Sequence, residues 1–166
     1  LAGLDVDPGI GVKLISELAK ASGMAGMAGG QMLDISAETR IISEVSEIVL
    51  IQSLKTGALF RFACEAGAIL GGADPAPLRQ YAEHIGLAFQ IADDILDVES
   101  TAAALGKATQ KDSGKGKATF VDVLGLQGAR RKAEELTISA IAALDGYGPR
   151  ADTLREVARF IVLRRK

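Results

Sequence analysis

The sequence is poor in the residues that mark several common classes of protein. It has one cysteine, Cys64, and therefore no disulfide framework, which suits a reducing cytoplasm. Its 19 lysines and arginines nearly balance its 21 aspartates and glutamates, so the net charge of −2 gives no field that attracts nucleic acid or an anionic membrane. No apolar run approaches the ~18 residues that a membrane-spanning helix needs. We expect a cytoplasmic protein with no nucleic-acid partner and no stable membrane insertion.

Helical periodicity, by contrast, runs through the whole chain. Its 166 residues fit one domain, and aromatic residues make up only 4% of them while alanine and glycine are abundant, which favours closely packed helices. Asp7 and Pro8 have the residue types of an N-cap and a first helical position. Helices are predicted over 8–30, 43–70, 75–98 and 118–145 (broken near Gly125), and from 151 onward. Residues 31–42 are predicted to be a loop or the ragged end of the first helix, and 100–117 a long loop. The predicted fold class is all-α, and 43–70 is expected to be its buried central helix.

Three aspartates stand in the apolar stretch F-Q-I-A-D-D-I-L-D-V-E (89–99). On a helix Asp93 and Asp97 share a face, Gln90 lies one turn before them, and Asp94 lies on the flank. No lysine or arginine stands at a neighbouring helical position. The stretch is either a solvated helix end or a site whose cation comes from outside.

Lys55 presents the opposite situation, in L-K-T-G-A-L-F (54–60). It lies in the most apolar predicted helix, and its helical neighbours include no carboxylate. Either the side chain extends to the surface, or it binds an anion, for which Thr56 offers a hydroxyl and Gly57 an open backbone. Mg²⁺ prefers one or two carboxylates plus substrate phosphates. A Mg²⁺-diphosphate would therefore satisfy Lys55 and the aspartates together, with help from one or two of Lys107, Lys111, Lys115 and Lys117.

Several motifs, taken together and in order, resemble those of the trans-isoprenyl diphosphate synthases, in particular bacterial farnesyl or geranylgeranyl diphosphate synthases. The resemblance covers nearly the whole chain, and the set is far more specific than D-D-x-x-D alone. The motifs are M-A-G-G-Q-M-L-D (27–34), K-T-G-A-L (55–59), G-L-A-F-Q-I-A-D-D-I-L-D-V (86–98), L-G-K (105–107), G-K-A-T-F (116–120) and L-G-L-Q-G-A-R (124–130).

The resemblance implies an isoprenoid synthase-type helical bundle around a central cavity, forming a homodimer. It implies condensation of isopentenyl diphosphate with an allylic diphosphate, assisted by Mg²⁺, with Mn²⁺ as an alternative ion. The roles that it implies are metal binding by Asp93, Asp94 and Asp97, and substrate binding by Lys55, Thr56, Gln90, Lys107, Lys117, Gln31 and Asp34. Among these, Lys55, Thr56 and Gln90 lie nearest the reacting centre. The tail Arg164-Arg165-Lys166 resembles tails that help to close such sites, or else simply favours a helix C-terminus.

The family's first aspartate-rich motif is missing from the chain, as are the basic residues for isopentenyl diphosphate. We therefore expect 1–166 to be a single all-α portion, the C-terminal half of a longer synthase, and to be inactive alone. Alternatives are a non-catalytic partner subunit that keeps the diphosphate site, an all-α interaction module with solvated acids, and, more distantly, a terpene cyclase. Cys64 and His84 are expected to be structural or surface residues.

Overall fold

The computed structural model describes residues 1, 3–39, 42, 44–104 and 119–164, with the backbone alone at 101–104. No strand occurs within these ranges, which confirms the predicted all-α class. A five-residue π-helical turn, Ser53–Gly57, joins α3 to α4 and is called the π turn below; a 3-10 segment, Asp145–Ala151, precedes α7. The α-helices are α1 (Pro8–Ser22), α2 (Met27–Ala37), α3 (Val45–Gln52), α4 (Ala58–Leu70), α5 (Ala76–Ala104), α6 (Phe120–Ala142) and α7 (Asp152–Leu163).

Most helix ends lie where the residue types placed them. The Asp7 carboxylate accepts hydrogen bonds from the backbone N–H groups of Gly9 (2.8 Å) and Ile10 (3.3 Å), and thus caps α1. The predicted break in α6 is confirmed at Gly125, whose φ of 68° favours glycine. Helix α5 extends past the predicted end at 98, to Ala104.

The predicted helix over 8–30 is not continuous, because α1 ends at Ser22 and α2 begins at Met27. Helix α2 runs to Ala37, so most of 31–42 is helical and not a loop. Gly29 and Gly30 are buried within α2. The predicted helix over 43–70 is also not one uniform buried helix. It is divided by the π turn, and Leu50 and Leu59 are exposed on it. On α7, Ala158 and Ile161 point inward, whereas Val157 is exposed.

Helix α5 is the element around which the other helices pack. Its side chains Ile85, Ala88 and Ile91 are fully or almost fully buried, and they belong to one apolar cluster with residues of α6 and α7. The hydroxyl of buried Tyr81 donates a 2.9 Å hydrogen bond to the carbonyl of Leu154 and so ties α5 to α7. Burial raises the pKa of Tyr81 to about 12, so the phenol stays protonated and keeps this bond at physiological pH.

Two glycine contacts bring neighbouring helices onto the π turn. A Cβ placed on Gly30 of α2 would lie only 2.2 Å from the backbone nitrogen of Lys55 and 2.6 Å from its Cα. On the α5 side, a Cβ placed on Gly86 would lie 3.6 Å from the Cα of Gly57. The π turn therefore lies against α2 at Gly30 and against α5 at Gly86. Across the described part of the chain, no helix combines the length and apolar character that crossing a membrane requires.

The contact at Gly30 predicts a large cost for adding one methyl group. We expect Gly30→Ala to destabilise the protein by about 1–3 kcal/mol, because the backbone of the π turn must move away. Gly11→Ala in α1 is the matched control, since no atom lies within 4 Å of its added Cβ. That change should stabilise by about 0.5–1 kcal/mol. Urea unfolding of both variants measures the difference; equal effects would contradict the tight crossing.

Candidate active site

The π turn presents two of the residues predicted to bind substrate, Lys55 and Thr56, and both are half-buried. Insertions of a single π turn into α-helices occur frequently at functional sites. Here the turn lies between α3 and α4 and changes the direction in which their side chains point. Helices α2 and α5 pack against this turn.

The ammonium of Lys55 is paired with a carboxylate from another helix. Its Nζ donates a 2.6 Å hydrogen bond to Oδ2 of Asp34 on α2. The Asp34 side chain is 4% exposed and that of Lys55 is 28% exposed. The expectation that Lys55 lacks an internal anion is therefore wrong. The helical neighbours of Lys55 could not reveal this partner, since Asp34 lies 21 positions earlier in the chain.

The three aspartates lie on α5, two helical turns and more beyond Gly86. Asp93 and Asp94 are half-buried, whereas Asp97 is more exposed and also has an interaction partner. Gln90 is half-buried one turn earlier on the same helix. The order of these side chains along one helix agrees with the prediction.

Asp93 is not left without a cation, contrary to the prediction. The guanidinium of Arg164, which follows the last residue of α7, donates a hydrogen bond to Oδ1 of Asp93 and forms an ion pair with it. The same guanidinium lies over the ring of Phe89, with its Cζ 4.3 Å from the ring centroid. Arg164 lies 71 positions from Asp93. The basic tail was therefore the only signal in the sequence for this contact.

Asp94 has a structural bond of its own. Its Oδ2 accepts a 2.8 Å hydrogen bond from the backbone N–H of Phe120, the first residue of α6. The pKa of Asp94 is raised to about 6, chiefly by burial and also by the carboxylates of Asp122, Asp97 and Asp93, although the bond from the Phe120 N–H acts in the opposite direction. Asp94 thus connects α5 to the start of α6.

The remaining residues singled out in the sequence lie partly within and partly outside the described ranges. Gln31 is half-buried on α2, directly after Gly30. Lys107, Lys111, Lys115, Lys117, Arg165 and Lys166 lie outside the described residues. Cys64 and His84 are half-buried, and burial raises the pKa of the Cys64 thiol, so it stays protonated.

The donor set on α5 is compatible with Mg²⁺, although it is not assembled as a complete cage. Within the described ranges, no three side chains of Asp, Glu, His or Cys converge in a way that could hold a metal ion. Mg²⁺ needs only one or two protein carboxylates when a substrate supplies phosphate oxygens. Asp93 and Asp97, four positions apart on one helix face, offer these two carboxylates.

Comparison with known proteins decides the family. The model of the polyprenyl synthetase family matches residues 11–146, which is most of the chain. The chain belongs to the polyprenyl synthetase family. This confirms the resemblance drawn from the motifs, and with it the helical fold of the isoprenoid synthases.

Several relatives of this chain are named farnesyl diphosphate synthase. The chain is 44% identical over 163 residues to the farnesyl diphosphate synthase of Escherichia coli (strain K12), a match that covers 93% of this chain and 54% of that protein. The apo structure of an FPP/GFPP synthase from Zymomonas mobilis matches with a TM-score of 0.81 and 47% identity, covering 94% of this chain and 52% of the other.

A second similar structure contains ligands. It is the geranyltransferase from Helicobacter pylori complexed with magnesium and isoprenyl diphosphate, with a TM-score of 0.74 and 28% identity, and it covers 97% of this chain and 54% of the other. The chain thus spans about half the length of the relatives it matches. The assignment of 1–166 to a single domain portion stays a prediction.

The bond from the Phe120 N–H to Asp94 gives this aspartate a structural role that can be tested without metal. Asp94→Ala should cost about 1–2 kcal/mol, because it removes the acceptor of a buried N–H group. Asp94→Asn keeps an acceptor and has no charge. The raised pKa of Asp94 means that folding disfavours its ionised form, which predominates at pH 7. The neutral Asp94→Asn variant should therefore be at least as stable at pH 7 as the parent protein. Urea unfolding without divalent cations tests this; equal losses in both variants would contradict it.

Proposed function

We propose that the protein containing this chain is a trans-prenyltransferase that joins isopentenyl diphosphate to an allylic diphosphate, giving a short-chain isoprenyl diphosphate. One observation carries the proposal: the π turn that bears Lys55 and Thr56 contacts α5, the helix of the three aspartates. A cationic element and an acidic helix packed together suit a diphosphate bound through metal ions. Family membership and the names of the relatives support the same reaction.

In this proposal Asp93 and Asp97 hold Mg²⁺, with Asp94 beside them and Mn²⁺ as an alternative ion. When bound, the metal acts as a Lewis acid that stabilises the departing diphosphate. The donor chemistry of two carboxylates on one helix face supports this assignment. Because the Arg164 guanidinium is bonded to Oδ1 of Asp93, we expect it to move away when a cation binds that oxygen.

Lys55 supplies a fixed positive charge to the same leaving group. Loss of diphosphate from an allylic carbon leaves negative charge on the phosphate oxygens, and an oriented ammonium stabilises that charge most where water is excluded. Lys107 and Lys117 are proposed to contact the same diphosphate. Thr56 and Gln90 would lie beside the carbocation, which needs no nucleophilic side chain. Gln31 is proposed to bind substrate from α2.

We also propose that the protein works as a cytoplasmic homodimer. Large apolar side chains on α1, on α2 and in the turn between them are exposed in this chain, among them Val12, Met24 and Met32. Apolar surface of this kind is typical of faces that other protein segments cover. The rest of a longer protein or a second subunit could each cover these apolar side chains.

An all-α interaction module remains the second candidate, and one observation favours it. Both charge clusters are partly neutralised within the chain, Lys55 by Asp34 and Asp93 by Arg164. In that case neither cluster would bind a ligand. The following experiment separates the two functions.

We expect Mg²⁺ with inorganic diphosphate to raise the Tm of the intact protein, since ligand at about 100 times its Kd adds about 2.7 kcal/mol to stability. The shift should be much smaller in Asp93→Asn, which weakens a metal ligand. Because this change also weakens the pair with Arg164, the comparison is between ligand-induced shifts and not between Tm values. Arg164→Ala is the control, losing the same ion pair while keeping the carboxylate, and its shift should equal or exceed the parent's. No shift in any of the proteins would favour the interaction module.

Lys55→Gln should lower kcat/KM for the allylic diphosphate about 100-fold, because a neutral amide cannot replace the positive charge that faces the leaving group. Glutamine can still donate a hydrogen bond to Asp34, which limits the loss of stability. Lys132→Gln, from an exposed pair with Glu135 on α6, is the matched control and should leave the rates unchanged. Steady-state kinetics measure both, and unchanged kinetics in Lys55→Gln would mean that Lys55 serves only its ion pair with Asp34.

A further inference from the structure

We propose that Asp34 is a positioning residue: it holds the Lys55 ammonium in the orientation that binds the diphosphate, and does not itself bind substrate. The inference rests on the proposed function of Lys55. It replaces the substrate-binding role predicted for Asp34 from the motif.

The first support is the way in which the chain places these two groups. Gly30 and Asp34 are separated by one helical turn of α2 and so lie on the same face. The close approach at Gly30 fixes that face against the backbone of Lys55 itself. The carboxylate one turn later then lies 2.6 Å from the end of the Lys55 side chain. The position of the pair therefore depends on backbone packing, and not on a chance encounter of two long side chains.

The second support is the difference in exposure between the partners. With its side chain 4% exposed, Asp34 has almost no surface for a ligand, and its charge would repel a diphosphate. Lys55, at 28%, keeps an open side. An ammonium has three N–H donors, so that donation to Asp34 leaves donors for an anion on that open side.

The third support is the flexibility of lysine. A free lysine side chain has about 2 kcal/mol of rotamer entropy to lose on binding. A carboxylate that already restrains the ammonium removes part of this loss before the ligand arrives. In the alternative, Asp34 competes with the diphosphate for Lys55. Removal of the Asp34 charge would then strengthen diphosphate binding, whereas a positioning role predicts that it weakens binding.

A double-mutant cycle in the intact protein tests the proposal, with Mg²⁺ and inorganic diphosphate as the titrated ligand in calorimetry. The parent, Asp34→Asn, Lys55→Gln and the double variant are compared. Asp34→Asn should weaken binding about tenfold when Lys55 is present, and less than about twofold in the Lys55→Gln background. Glu135→Gln, from the exposed pair on α6, is the control for removing a paired carboxylate and should have no effect.

Other results overturn the proposal in recognisable ways. Equal weakening in both backgrounds would show that Asp34 acts on the fold and not through Lys55. Tighter binding in Asp34→Asn would show competition. Should Asp34→Asn not fold, Asp34→Glu replaces it: glutamate keeps the charge but shifts the ammonium, and an unchanged Kd would overturn the proposal. If the parent binds no Mg²⁺-diphosphate, the proposed function fails together with this role, whereas loss in Lys55→Gln with no loss in Asp34→Asn defeats Asp34 alone.

Discussion

The close packing of α2 against the backbone of the π turn is the constraint on which the rest of the site depends. Gly30 permits this contact because any Cβ would overlap the backbone of Lys55. One helical turn later, Asp34 enters the interior and meets the Lys55 ammonium. A buried carboxylate is costly unless it is paired. The backbone contact and the ion pair are therefore coupled: loss of either would change the geometry of the other.

The charged groups around the site have partners from distant parts of the chain. Lys55 pairs across 21 positions with Asp34, Asp93 across 71 with Arg164, and Asp94 across 26 with the N–H of Phe120. These bonds connect α5 to α6 and to the end of α7. A cation on Oδ1 of Asp93 would compete with Arg164 for that oxygen, so the account links ligand binding to the position of the end of α7.

The same distances explain what could be predicted from the sequence. Helical periodicity and local caps, such as Asp7 before Pro8, depend on neighbouring residues, and they predicted most of the α-helices. The exception is α2, which was divided between the predicted helix over 8–30 and the stretch after it, so the break after Ser22 was missed. Gly30 has a low helix propensity, but α2 stays helical there, packed against the backbone of the π turn. The acids and Lys55 were found because they are unusual in their local context. Their partners were missed, since neither Asp34 nor Arg164 is a helical neighbour.

The central claim is that Lys55, held by Asp34, faces a diphosphate bound to the acidic face of α5. A crystal structure of the intact protein with Mg²⁺ and inorganic diphosphate tests this most directly. The account predicts a phosphate oxygen roughly 3 Å from Nζ of Lys55, the bond from Lys55 to Asp34 retained, Asp93 and Asp97 on the metal, and Arg164 released from Asp93. A diphosphate bound elsewhere, with Lys55 still turned wholly toward Asp34 and Arg164 still on Asp93, would contradict it.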